Sequence, residues 1–302
     1  MNRREESMYR CEIGRRHKIA IVVAIDQSSS MAQEIVINST EISKAEMVAI
    51  VVGELIEELL LCSKCDNVYR DYYDIAVIGY SSNGIHSLIS DEVGFVTVSE
   101  LAKRSVEREY INFKCKLLNG DVVVVPYGFP KWIEPMASGS TPMCKMLECV
   151  AELLQSWCAQ PYHRESFPPI FVNISDGMSS DGGAEQLISL SERIKGISTE
   201  DGNTLFVNIE ISSGGGGISL VYPSIDALPS EDSRAMLLAQ MSSVIPSRLE
   251  HIVHRKRIAK TKPPYLAMGY NTSPMEFISM LNLGSRSDAL QGEKEPYPYL
   301  PL

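Results

Sequence analysis

Short runs of consecutive apolar residues, rich in Val and Ile, recur along the chain between longer stretches whose apolar residues fall three and four apart. The first kind predicts strands covered on both faces at 18–25 (KIAIVVAI), 74–80 (DIAVIGY), 170–175 (IFVNIS) and 204–211 (TLFVNIEI). The second kind predicts helices. From Ser43 to about Cys62, apolar positions Met47, Val48, Val51, Leu55 and Leu59 form one face, and Ser43 with Glu46 forms a capping box. Thr141 followed by Pro142 reads as an N-cap and first helical position, opening a helix that reaches about Trp157. Two more helices are expected over 184–195, ending at Gly196, and over about 231–244, stopping before Pro246.

Strands alternating with helices define an α/β domain with a doubly wound, mostly parallel sheet and helices on both faces. We place it at residues 17–245, after an N-terminal extension (1–16) and before a C-terminal extension with a proline-spaced tail (246–302). Residues 83–137 are too long for a simple connection. They contain KCKLLNGDVVVVP, in which Asn119-Gly120 separates two strand-like runs, so an inserted β-hairpin or small subdomain is expected there. No internal repeat is visible.

Composition narrows the function classes. A hydrophobic content of 44% over 302 residues suits a globular core, and a formal net charge of −10 argues against nucleic acid or an anionic membrane as the main partner. The first residues, MNRREESMYRCEIGRRHK, are too charged for a secretory signal, and no run is long enough to span a bilayer. Seven cysteines, an odd number scattered along the chain, fit free thiols, and a cytoplasmic location is expected. Cys62 and Cys65 form a CxxC without a second ligand pair, so a buried thiol pair at a helix end is expected in preference to zinc.

The candidate chemistry lies where the strands end. In an open parallel sheet the functional crevice lies beyond the C-terminal ends of strands. Asp26, Ser28 and Ser30 stand there after the first strand, Asp176 stands there after 170–175, and Thr141 begins the helix that precedes that later strand. Two carboxylates and three hydroxyls are a hard-oxygen set suited to Mg²⁺, Mn²⁺ or Ca²⁺, with Mg²⁺ the default, and they leave coordination positions open.

Asp26-x-Ser28-x-Ser30, the distant Thr141 in ASGSTPM, and Asp176-Gly177 in ISDG resemble the metal-ion-dependent adhesion site (MIDAS) of von Willebrand factor type A (vWA) domains, over roughly residues 17–245. The resemblance implies a Rossmann-like domain of an intracellular, bacterial type. Asp26, Ser28 and Ser30 would form the first motif, Thr141 would be the second-loop ligand and Asp176 the second carboxylate. It also implies that the bound ion completes its shell with a Glu or Asp carboxylate of a partner protein. Intracellular members often act as scaffolds beside ATPases, kinases or phosphatases, as in tellurite-resistance-type clusters.

A non-catalytic interaction module is therefore expected. The rival is a Mg²⁺-dependent phosphotransferase of the haloacid-dehalogenase kind, but that chemistry needs an aspartate two positions after the first, where Ser28 stands. A third reading is a structural module that holds no ion. Asp181 is read as capping the next helix, and Gly214–Gly217 as a loop lacking P-loop residues. His251 and His254 with Arg255, Lys256, Arg257, Lys260 and Lys262 read as a solvated basic face, and His17, His86 and His163 have no triad-like partners.

Overall fold

The computed structural model describes residues 8–37, 40–116, 121–176, 179–211, 218–255 and 262–272. Its principal strands are β1 (Ile19–Asp26), β2 (Glu34–Ile37), β3 (Thr40–Ser43), β4 (Tyr73–Ser81), β5 (Gly84–Ser87), β6 (Arg108–Lys116), β7 (Val122–Pro130), β8 (Ile170–Ser175), β9 (Leu205–Glu210), β10 (Leu220–Val221) and β11 (Met268–Tyr270). The principal helices are α1 (Lys44–Ser63), α2 (Met143–Cys158), α3 (Ala184–Gly196) and α4 (Ser233–Met241).

The central sheet runs β10–β11–β9–β8–β1–β4–β5. The five inner strands are parallel, and the antiparallel pairings of β5 with β4 and of β10 with β11 close its edges. This is the doubly wound α/β architecture expected from the alternation of elements. The alternation of side chains in β1 decides which helix covers which face. Ile19, Ile21, Val23 and Ile25 pack with Val48, Val51, Val52 and Leu55 of α1. Ala20, Val22 and Ala24 pack with Met146, Leu147, Val150 and Leu154 of α2. Burying each large side chain contributes about 1.5–3 kcal/mol.

Local signals account for most element ends. The Ser43 hydroxyl accepts from the Glu46 amide while the Glu46 carboxylate accepts from Ser43 N–H, so the capping box opens α1 as expected. Helix α4 stops at Met241, short of the expected 244, because Ser243 leaves the helix to bond Phe206 of β9: its amide donates to Phe206 O and its hydroxyl accepts from Phe206 N. Helix α2 departs from expectation at its start, with Pro142 at the N-cap position and no side-chain cap from Thr141. Strand β11 lies in the segment 246–302, read above as an extension, yet it pairs parallel to β9 in the central sheet. A strand of only three residues, Met268–Tyr270, is too short a run to announce itself in the sequence.

Within 83–137, β6 and β7 form an antiparallel ribbon in register from Lys116–Val122 to Arg108–Pro130, as the insertion pattern predicts; Asn119-Gly120 itself lies outside the described residues. Tyr127 donates to Glu54 at 3.0 Å and Trp132 to Glu57 at 3.0 Å, pinning the ribbon along α1. The hairpin β2–β3, not expected from the sequence, joins it where Thr40 Oγ1 donates to Asn112 O and accepts from Lys114 N. Of the basic segment after α4, residues 256–260 lie outside the described residues, as do Gly214–Gly217.

At the N-terminal edge of the sheet, His163 does have a carboxylate neighbour. Its ring stacks on Trp157 at 3.7 Å between centroids, Nδ1 lies 2.9 Å from Trp157 O and Nε2 lies 3.6 Å from Asp74 Oδ2. Asp74 in turn accepts from Lys18 at 3.0 Å and from Trp157 Nε1 at 2.9 Å. Burial lowers the His163 pKa, so the fold favours the neutral ring. A folded-state pKa below the unfolded value of about 6.5 makes this contribution to stability present above that pH and lost as the pH falls through it. We expect the thermal midpoint to drop between pH 7.5 and pH 5.5 by less in His163→Gln than in the parent chain, measured by circular dichroism at constant ionic strength.

Candidate metal centre

Strand β1 is apolar until Asp26, and there the chain turns. Asp26 Oδ1 accepts the Ser28 amide at 2.8 Å, an Asx-type turn that starts the 3₁₀ segment Ser29–Ala32. The Ser28 and Ser30 hydroxyls, 2.9 Å apart, point into the same small space. Asp26 and Ser28 are buried, while Ser30 is exposed, so the cluster is open on one side.

Two further segments are stitched to this loop through the backbone. Ser29 N donates to Gly139 O at 2.9 Å, Gly139 N donates to Ser29 Oγ at 2.8 Å, and Ser138 N donates to Gln27 O at 2.7 Å. Gly139 has φ +78°, and a Cβ there would fall on the Ser82 hydroxyl, so the close approach requires glycine. Two residues on, Thr141 is buried, and its carbonyl accepts Ser180 N at 2.8 Å from the loop that follows Asp176. Asp181 completes the link. Its two carboxylate oxygens accept the Cys144 and Lys145 amides at 2.9 and 3.0 Å, so it caps α2, whereas the sequence reading above makes it the cap of the helix that follows it. The cap left open at Pro142 is thereby filled from a distant loop.

The structure thus brings Asp26, Ser28, Ser30, Thr141 and Asp176 to one edge of the sheet. Asp26 Oδ2 and Asp176 Oδ1 are buried and find no hydrogen-bond donor among the described residues. Burial, the largest influence, raises the Asp26 pKa to about 6; the Ser28 hydrogen bonds oppose the rise, the charge of Asp176 adds to it and Lys44 opposes it. Orphaned, buried carboxylate oxygens beside hydroxyls are the donor set of a hard divalent cation, and these residues fit one. No group of three or more His, Cys, Asp or Glu side chains suited to a metal occurs among the described residues, and the six cysteines whose side chains are described are free thiols; Cys62 is half-buried and Cys65 exposed, not the buried pair expected, because Cys65 lies past the end of α1.

Sequence reasoning missed three parts of this edge. Glu210, at the end of β9, lies beside Ser175 of β8 in the strand register, and its Oε2 is buried without a partner among the described residues. Burial, then Asp232, raises the Glu210 pKa to about 7, with Asp176 adding to the rise while Arg234 and Lys44 oppose it. Lys44, the first residue of α1, is only 3% exposed. Beneath them a hydrogen-bonded row crosses the sheet: Tyr80 Oη donates to Asn173 Oδ1 at 2.9 Å, Asn173 Nδ2 to Asn208 Oδ1 at 3.0 Å, and Asn208 Nδ2 to Ser242 Oγ at 3.0 Å. A charged or amide residue inside an apolar run, as in FVNIS and FVNIE, was the available signal for Glu210 and the row.

No family model matches this sequence, and no curated protein matches it. Among solved structures, the chain is similar to proximal thread matrix protein 1 of the mussel byssus, with a zinc-occupied MIDAS motif, at 15% identity and TM-score 0.42, over 89% of this chain and 47% of that one. It is also similar to a von Willebrand factor type A protein from Catenulispora acidiphila at 12% identity and TM-score 0.38, over 74% of this chain and 43% of that one. A third is the vWF domain of the type V pili tip protein Mfa5 from Porphyromonas gingivalis, at 11% identity and TM-score 0.32, covering 89% of this chain and 86% of that one. The chain thus spans less than half the length of the first two.

With Asp26 ionised near Asp176, the metal-free site carries an electrostatic penalty that a neutral isostere removes. In EDTA at pH 7.5, Asp26→Asn should therefore melt about 2–4 °C higher than the parent, the shift that about 1 kcal/mol produces in a large domain. Added Mn²⁺ should raise the parent midpoint and leave the variant unmoved, as read by scanning fluorimetry.

Proposed function

We propose that the chain is a divalent-cation-dependent protein-interaction module, with Asp26, Ser28, Ser30, Thr141 and Asp176 holding the ion and a partner protein supplying a Glu or Asp side chain. The observation that carries this reading is the pair of buried carboxylate oxygens on Asp26 and Asp176 that have no partner among the described residues, at the sheet edge that also holds Ser28 and Ser30 on the Asp26 loop and the buried Thr141. A bound divalent ion supplies an electrophilic centre with an open position for an outside carboxylate. Mg²⁺ is the expected occupant, with Mn²⁺ or Ca²⁺ able to substitute.

The residues divide the work. Asp26 and Asp176 provide the anionic anchor, and the Ser28, Ser30 and Thr141 hydroxyls add neutral oxygens that keep the local charge from being cancelled. The exposed side at Ser30 supports entry of the partner's side chain from solvent. Ser28 also weighs against phosphotransfer, because its hydroxyl bonds Ser30 where that chemistry needs a carboxylic acid. We read the chain as non-catalytic, cytoplasmic, as its free thiols fit, and as a scaffold or adaptor without a nucleic-acid or membrane ligand. No helix among the described residues is long and apolar enough to cross a membrane.

Two measurements test the proposal. Isothermal titration with Mn²⁺ should give one site, about 10–100-fold weakened in Thr141→Ala and abolished in Asp26→Ala. Affinity capture in Mg²⁺ buffer should retain a partner that EDTA or Asp26→Ala releases, both proteins being folded by circular dichroism. Identical capture under all conditions, or hydrolysis of generic phosphomonoesters that depends on Mg²⁺ and Asp26, would overturn the reading.

A further inference from the structure

The ribbon β6–β7 leaves one edge of its backbone open. Thr40 Oγ1 donates to Asn112 O and accepts from Lys114 N, so the groups of β6 that do not face β7 point at β3. In an antiparallel pair, the N–H and C=O of two opposed residues point either toward each other or both away. Asn112 stands opposite Pro126 and Lys114 opposite Val124, so the even-numbered residues of β7 direct their backbone groups away from β6, to the ribbon's other edge. Pro126 and Pro130 obey this parity, because the N–H each lacks would have faced outward and not into the ladder.

The groups along that edge are not equal. Pro130 O accepts from Trp132 N at 3.1 Å, Gly128 O accepts from Arg108 at 2.8 Å, and Pro126 has no N–H to give. Val122 and Val124 each offer both a donor and an acceptor there, and neither is bonded on that side by another described residue. Their side chains are open too: Val122 is 61% and Val124 60% exposed on the ribbon's outer face. Further along that face Tyr110 is 71% exposed, its ring laid over Gly128, where a Cβ would meet it at 2.7 Å.

An edge of this kind is a template for another strand, and charge decides which strand it takes. Residues 122–130, VVVVPYGFP, carry no charged side chain. A strand selected by its charge finds nothing to read here, whereas a copy of β7 meets this edge without like-charge repulsion. Antiparallel pairing of a strand with its own copy also obeys a two-fold axis.

We propose that the β7 edge is a self-association surface, on which Val122 and Val124 of one chain pair antiparallel with Val124 and Val122 of a second copy, joining the two ribbons into one sheet. Each opposed pair exchanges both of its backbone hydrogen bonds. The missing N–H of Pro126 ends the zipper on one side of the pair, and Thr40 already engages the outer edge of β6, so the pairing closes at two chains and does not propagate. The outer faces then merge Val122 and Val124 of both chains into one apolar strip. The contact is small, which places it among weak, concentration-dependent interfaces. It needs no ion and is independent of the metal-centre reading.

The test is sedimentation velocity on the full chain over a range of concentrations up to about 300 µM, in EDTA and in Mg²⁺. The parent should show the same monomer–dimer equilibrium in both buffers. Val124→Pro removes an outward N–H and no bond to β6, and should weaken dimerisation about tenfold or more. Val124→Glu and Val124→Lys keep the backbone intact, so they decide the matter even if the proline disturbs the ribbon. Each alone should sediment as a monomer, and their equimolar mixture should restore the dimer, because the two side chains at 124 are diagonal neighbours across the axis. Circular dichroism checks that every variant is folded. A parent that stays monomeric, leaving the edge to a strand of another protein, overturns the proposal. So does a dimer that all three variants leave intact, or one that EDTA dissolves, which would mean that a carboxylate of one chain fills the metal site of the other.

Discussion

Repulsion between carboxylates that the fold will not let apart is the constraint on which this molecule turns. Asp26 and Glu210 end parallel strands that flank β8, Asp176 follows β8 directly, and all three carboxylates are buried. Parallel strands lie about 4.8 Å apart and all finish at one edge, so a side chain at each C-terminal end must meet its neighbours. In water these charges would be screened within a Debye length; in the crevice burial first raises the pKa of Asp26 to about 6 and of Glu210 to about 7, with Asp232 adding to the Glu210 rise and Asp176 to both. A cation is the direct physical remedy.

The carboxylates are held in place by groups that never touch an ion. The backbone bonds of Ser29 and Ser138 tie the first loop to the Gly139 segment, and Asp181 ties the loop after Asp176 to the start of α2. Since α2 packs Met146, Leu147 and Val150 onto the Ala20, Val22 and Ala24 face of β1, the position of Thr141 is inherited from the hydrophobic core. Below this edge, the row from Tyr80 through Asn173 and Asn208 to Ser242 gives buried polar groups mutual partners across four elements. Such a satisfied network favours one registration of the strands, because a slip would leave several amides unpaired.

The ribbon β6–β7 gives the module a feature that the doubly wound core does not need. It is fastened along α1 by Tyr127 and Trp132 and reaches β3, which leads from the loop after Asp26 into the start of α1. Its outer face exposes Tyr110, Val122 and Val124. The carboxylate-bearing edge and the ribbon therefore share α1 and β3 as a common support.

How much of this could be read without the structure depends on whether a feature is local. The runs IAIVVAID and IFVNIS declare buried strands, Ser43 with Glu46 declares the start of α1, and the spaced Asp26, Ser28, Ser30, Thr141 and Asp176 declare an oxygen-rich edge, because periodicity, capping and side-chain chemistry are properties of short segments. Edge strands of two or three residues, such as Leu220–Val221 and Met268–Tyr270, carry no period to detect and exist only because a sheet edge offers them partners. Asp181 looked like a cap for the helix just after it, since sequence distance was the only distance to hand; in space the unfilled N-terminus of α2 is the one it reaches. The sequence by itself determined the alternation of elements and which residue types could bind a hard cation. Only the tertiary structure decided which other charged residues are buried at that edge, because Glu210 comes beside Ser175, and Lys44 is covered, only once strands distant in the chain lie side by side.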